Sequence, residues 1–126
     1  MISINGIELK DLIVEAPYAF TGVESEVERS LGGNPVVFER SVSGKAFDLV
    51  GTENHGILTR STLDQLMDIA SQSRATFIFD DGTGNLSTVR FRNEEPPVIT
   101  AEPIKRTQAP TPDDPFNNIR IKLMQL

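Results

Sequence analysis

Only one stretch of this sequence, TRSTLDQLMDIASQS (59–73), repeats its apolar residues with a helical period; nearly all the rest is short runs cut by Gly, Pro, Asn and Asp. Leu63, Leu66, Met67 and Ala70 fall at i, i+3, i+4 and i+7, one stripe of a helix. Thr59 or Ser61 can accept from the orphan amides of its first turn, and Asp64 follows Ser61 at the spacing of a capping box. A chain with one helix and many short strands must bury its apolar side chains against antiparallel sheet. The expected fold class is mainly β (α+β): an antiparallel β-sandwich or barrel with one flanking α-helix at about residues 59–73. With 126 residues, 38% of them hydrophobic and 24% charged, the chain can build one core but not two, so a single domain over 1–126 is expected.

The strands announce themselves by their turns. Asn5-Gly6 between Ile4 and Ile7 is a two-residue hairpin signal. In VESEVERSLGGNPVVFERSV (23–42), Val23, Val27 and Leu31 share one strand face and Glu24, Glu26 and Glu28 the other. A two-residue turn at Gly32-Gly33 sets Leu31 opposite Asn34, Val27 opposite Phe38 and Val23 opposite Val42, with Glu26 facing Glu39. Pro35 lacks a ladder donor and predicts an edge or an irregular start. KAFDLVG (45–51) follows a turn at Ser43-Gly44, ATFIF and LSTVRFR flank the turn-rich DDGTGN (80–85), and VITAEPI (98–104) and NIRIKLMQL (118–126) complete the set. KRTQAPTPDDPF (105–116), with three prolines, reads as an extended loop.

Within VRFRNEEPPVITAEPI (89–104), Val89 and Phe91 point to one side of a strand and Arg90 and Arg92 to the other. Pro96-Pro97 stiffens the corner, and Ile99, Ala101 and Pro103 form the expected buried face of the next strand. Phe38, Phe47, Phe77, Phe79 and Phe91 all fall on strands and are expected in the core rather than on a ligand-stacking surface.

The net charge of −6 makes the chain a poor candidate for gripping phosphates, though not for a surface past which nucleic acid slides. No cysteine is present, which rules out disulfides and thiolate metal sites. No apolar run approaches the roughly 20 residues of a membrane-spanning helix, and MISINGIELK lacks a signal-peptide core. The sole histidine, His55, has only Glu53 as a nearby carboxylate and reads as a loop residue. Glu24, Glu26 and Glu28 supply the oxygens a hard cation wants, but alternate strand residues lie roughly 7 Å apart, so a solvated face is the better reading. No nucleophile, P-loop or zinc-protease motif is present, and Asp80, Asp81, Asp113 and Asp114 read as loop acids. No catalytic, cofactor or metal role is expected.

GILTRSTLDQLMDIA (56–70), then ATFIFDDGTGNLSTVRFRNEEPPVITAEPI (75–104), then the closing NIRIKLMQL together resemble a family of small minor tail or baseplate (tail-tip) proteins of long-tailed bacteriophages and prophages. SEVERSLGG (25–33) is also similar to that family's pattern. The chain departs from it at Ile57, where an aromatic is expected, at Asn93 in place of histidine, and at Gln125-Leu126. The resemblance implies a tail-tube- or distal-tail-like fold and a structural virion component with no catalytic residues. Its partners would be other copies in a ring and neighbouring tail tube, hub or tip proteins, with DNA only as passing cargo. Its location would be the virion tail, and the host cytoplasm during assembly. On this reading Glu24, Glu26 and Glu28 line a lumen or meet Arg90 and Arg92 of a neighbouring copy. The alternatives are a soluble tail-assembly chaperone, a host-carbohydrate-binding β-domain, for which Tyr18 and the lack of Trp supply few aromatics, and a metal-dependent enzyme.

Overall fold

A computed structural model describes residues 2–15, 23–41, 45–105 and 109–126. Among the described residues the fold is mainly β and antiparallel with one helix, and its sheet does not close into a barrel. In chain order the strands are β1 (Ile2–Ile4), β2 (Ile7–Leu9), β3 (Ile13–Val14), β4 (Val23–Arg29), β5 (Pro35–Ser41), β6 (Lys45–Val50) and β7 (Leu58–Thr59). Helix α1 (Arg60–Ala70) follows, then β8 (Phe77–Asp80), β9 (Leu86–Phe91), β10 (Ile99–Pro103) and β11 (Pro115–Gln125). The main sheet runs β2-β1-β8-β9-β11-β6-β3, with β7 and β10 also on β11, while among the described residues β4 and β5 pair only with each other.

Strand β11 is the spine. Along one edge its first half pairs with β10 and its second half with β9; along the other edge β7 gives way to β6. Asn118, with φ of 50°, lies between the stretches of β11 that pair with β7 and with β6. There the β10 register jumps from Thr100↔Arg120 to Glu102↔Asn117, a bulge inside the β10 pairing. The bulge also breaks the alternation expected in β10. Ile99 and Ala101 pack against the core only in part, and Pro103 is exposed, contrary to the face predicted for it.

The sheet is amphipathic. Phe77 and Phe79, Val89 and Phe91, Ile121 and Leu123, and Phe47 and Leu49 alternate inward from four neighbouring strands, and the helix adds Leu63, Leu66, Ile69 and Ala70 to the same cluster. Four phenylalanines thus lie in the core as expected, in two tilted pairs with centroids 5.2 and 5.8 Å apart. The fifth, Phe38, does not; it is 55% exposed on β5.

The helix begins where the sequence indicated. Thr59 caps it by accepting from the Thr62 amide at 3.4 Å, and Ser61 lies inside the helix instead of forming a capping box. The amides of Arg60 and Ser61 donate to the carbonyls of Asp114 and Pro112, each at 2.9 Å, so the 109–114 loop satisfies two more orphan donors. Arg60 also lies over the Phe116 ring, 5.1 Å from its centroid. The buried face is turned by about one residue from that predicted: Ile69 is in the core and Met67 is exposed. Half-buried Thr62, held by the cap, lies on that same side.

Two tight turns follow their residue types. Asn5 and Gly6, with φ of 51° and 79°, close β1 on β2 and set Ile4 against Ile7. Gly82 and Gly84 take positive φ in the β8–β9 loop, where Asp80 accepts from the Gly82 amide and Asp81 from the Thr83 amide, both at 2.9 Å. The turn predicted at Ser43-Gly44 lies outside the described residues.

The β4–β5 register differs by one residue from that predicted. Val27 faces Val37, Glu26 faces Phe38, and Ser25 faces Glu39, donating from its hydroxyl to the carboxylate at 3.1 Å. Residues 30–34 form the connection in place of a two-residue turn: the Gly33 amide donates to Ser30 O at 2.9 Å and the Ser30 amide to Asn34 O at 2.8 Å. Gly33 makes this possible with φ of 81°. The apolar pattern did not fix the register because neither face of this hairpin is buried.

The core and the hairpin should therefore respond differently to truncation. Ile121→Ala is expected to destabilise the protein by about 3 kcal/mol, within the range for a buried aliphatic residue. Val27→Ala is expected to change it by less than about 0.5 kcal/mol, as for an exposed site; urea unfolding of the dilute protein checks both.

Candidate interaction surfaces

Residues 25–40 are exposed throughout, and their strands form no ladder with the main sheet. Two-stranded hairpins are marginal in water, and this one carries Val27, Leu31, Val36, Val37 and Phe38 in the open. Its faces differ. One presents Ser25, Val27 and Arg29 with Pro35, Val37 and Glu39; the other presents Glu26 and Glu28 with Val36 and Phe38. Of the three predicted acids, Glu26 and Glu28 stand exposed on that second face, and the side chain of Glu24 lies outside the described part of the chain. An open groove of about 780 Å³ runs along this hairpin, lined by Ser25, Glu26, Phe38, Glu39 and Arg40.

Arg90 and Arg92 lie on the outer face of the main sheet, as the alternation in β9 predicted, and both have acids from their own chain. Arg90 holds Glu94 by two hydrogen bonds of 2.8 and 3.0 Å. That pairing, with the hydrogen bond leading, keeps the Glu94 carboxyl below the usual glutamate range. Arg92 pairs with Asp48 and, at 3.0 Å, with Glu95. Asp48 also accepts from Arg120, which reaches Glu15 at 2.6 Å and lowers its carboxyl through that hydrogen bond. The result is a chain of alternating charges, Glu15, Arg120, Asp48, Arg92 and Glu95, laid across β3, β11, β6 and β9 and their flanks.

Its centre is shielded. The Arg92 and Asp48 side chains are only 12% and 15% exposed, although both lie on the face away from the core. The NEEPP corner (93–97), with its cis Pro96-Pro97 bond, closes over them; Lys122 donates to the Glu95 carbonyl at 3.1 Å and its own amide to Val98 O at 2.9 Å. Sequence reasoning singled out the arginines and missed Asp48, whose partners lie 44 and 72 residues away.

His55 is exposed in the 51–57 loop, where its amide donates to the Thr52 hydroxyl at 3.1 Å and its carbonyl accepts from the Thr52 amide at 2.7 Å. That loop packs against the body through Gly56, which has φ of 75° and where a Cβ would meet Leu12 at 2.6 Å. Asp114 accepts from the Thr111 amide and hydroxyl, both at 2.9 Å, bonds that hold its carboxyl below the usual aspartate range. Like Asp80 and Asp81, it holds a turn. Among the described residues no group of three metal-ligating side chains comes together, and no helix is long and apolar enough to cross a membrane.

Comparison with protein-family models, with curated proteins and with solved structures finds no match.

Replacing Asp48 by Asn removes the anion shared by Arg92 and Arg120 and leaves a nearly covered guanidinium short of a partner. The expected cost is about 2 kcal/mol, below that of breaking a fully buried pair because Arg120 remains half in water. Thermal and urea unfolding of Asp48→Asn check this, with Glu94→Gln as a comparison expected to cost less than about 1 kcal/mol.

Proposed function

We propose that this chain is a structural subunit of a long-tailed phage tail, a ring-forming component at the baseplate, tail tip or tube end. The observation that carries this reading is the isolated β4–β5 hairpin, exposed on both faces and apolar at five positions. Exposed apolar surface of this kind marks contact sites, and an assembly subunit completes it with a neighbour's surface. The resemblance of the 25–33, 56–70 and 75–104 segments to small tail proteins supplies the setting.

In a ring, each copy offers its arm to the next, a heterologous contact repeated by symmetry. The Glu26–Glu28 face then turns to the lumen, where like charge lets DNA pass without capture. Arg90 and Arg92 serve the subunit's own sheet in this scheme, because Glu94, Asp48 and Glu95 already hold them.

Mass spectrometry of purified phage particles tests the reading. The chain is expected in the particles at a stoichiometry of a small ring, and in reduced amount when Val27 and Val37 are both changed to Asp. Its presence in the infected lysate together with its absence from particles would replace the structural role with that of an assembly chaperone.

A further inference from the structure

The two faces of the β4–β5 arm are not equivalent toward a second copy of this chain. One face presents Ser25, Val27 and Arg29 of β4 opposite Glu39, Val37 and Pro35 of β5. Val27 and Val37 form its centre, 58% and 54% exposed. Arg29 lies at the turn end and Glu39 at the far end. Both charges have neutral partners: Arg29 donates to the Gly33 carbonyl at 3.0 Å, and Glu39 accepts from the Ser25 hydroxyl at 3.1 Å. The face is therefore an apolar strip with a cation at one end and an anion at the other, neither ion-paired among the described residues.

From this pattern we infer that the Val27–Val37 face pairs with the same face of a second copy across a two-fold axis. An axis running along the strands sets the two Arg29 side chains together at one end and the two Glu39 side chains together at the other. An axis running across the strands reverses one hairpin over the other, so each Arg29 meets the end that carries Glu39 in the second copy. Only this arrangement is complementary in charge, and the four valines meet at its centre. The occupant is a second copy because the face carries its own complement. The opposite face does not: Glu26 stands at its centre beside Phe38, and a two-fold axis there buries that carboxylate against itself.

Six side chains on one face offer less than the roughly 800 Å² that a standard interface takes from each partner, so the pair forms at high concentration and separates on dilution. A two-fold contact closes at two copies. It belongs to the free chain and does not rest on the tail setting; a ring neighbour that takes the arm replaces it.

Sedimentation equilibrium of the free chain tests this. The mean mass should climb from 13.9 kDa toward twice that value as concentration rises, and stop there. Arg29→Glu and Glu39→Arg, tested separately, each turn two attractive contacts into two repulsive ones and should weaken the pairing roughly tenfold. An equimolar mixture of the two variants restores both contacts in a mixed pair and should recover the association. Both sites are exposed on the arm, so an unchanged circular dichroism melt shows that the body of each variant is folded. Single variants that associate like the unmodified chain, a mixture that stays monomeric, or growth beyond two copies overturns the assignment. Absence of the chain from phage particles overturns the tail setting and leaves this result unaffected.

Discussion

The fold depends on how strand β11 fills both of its edges. Its eleven residues serve β10 and β9 along one edge and β7 and β6 along the other, so its backbone groups are satisfied by four different strands. The bulge at Asn118 lies where β7 gives way to β6. The Asn118 amide side chain also donates to the Glu102 carboxylate at 2.9 Å, tying β10 to the bulge in its partner. The helix depends on the same strand, since the loop leading into β11 supplies the carbonyls that cap the first turn of α1.

Once β11 is placed, the two sides of the sheet separate by chemistry. Inward, Ile119, Ile121 and Leu123 meet the phenylalanines and the helix, where removal of apolar area from water supplies most of the driving force. Outward, Arg120 and Lys122 alternate with them and meet Asp48, Glu15 and the NEEPP corner. That charged side pairs acid with base within the subunit. It is an internally neutralised surface, which is why the arginines that look like a binding patch in sequence act as cross-braces between strands.

Much of this was legible locally. Asn5-Gly6, the Thr59 cap and the Asp-rich turn at 80–85 each carry their instruction in two to six adjacent residues, and the structure forms all three. What was not legible depends on long-range partners or on the absence of any. The two-residue strands β3 and β7 have no alternation to read and exist because β6 and β11 offer them edges. Met67 and Ile69 are equivalent as apolar residues, and only the packing of α1 chooses between them. The β4–β5 register slipped by one because no core was there to reward the apolar alignment, so the local turn geometry at Ser30 to Asn34 decided it. Phe38 was assigned to the core for the same reason: a strand pattern says which residues share a face but not whether anything covers that face.

The central claim is that the body is complete in itself and the arm is not. Hydrogen exchange read by mass spectrometry, on the dilute chain and on the assembled form, tests it directly. The account predicts strong protection of β11 amides in both, and of amides in 25–39 only in the assembly. Equal protection of that segment and β11 in the dilute monomer would contradict it, because the arm would then be stable without a neighbour.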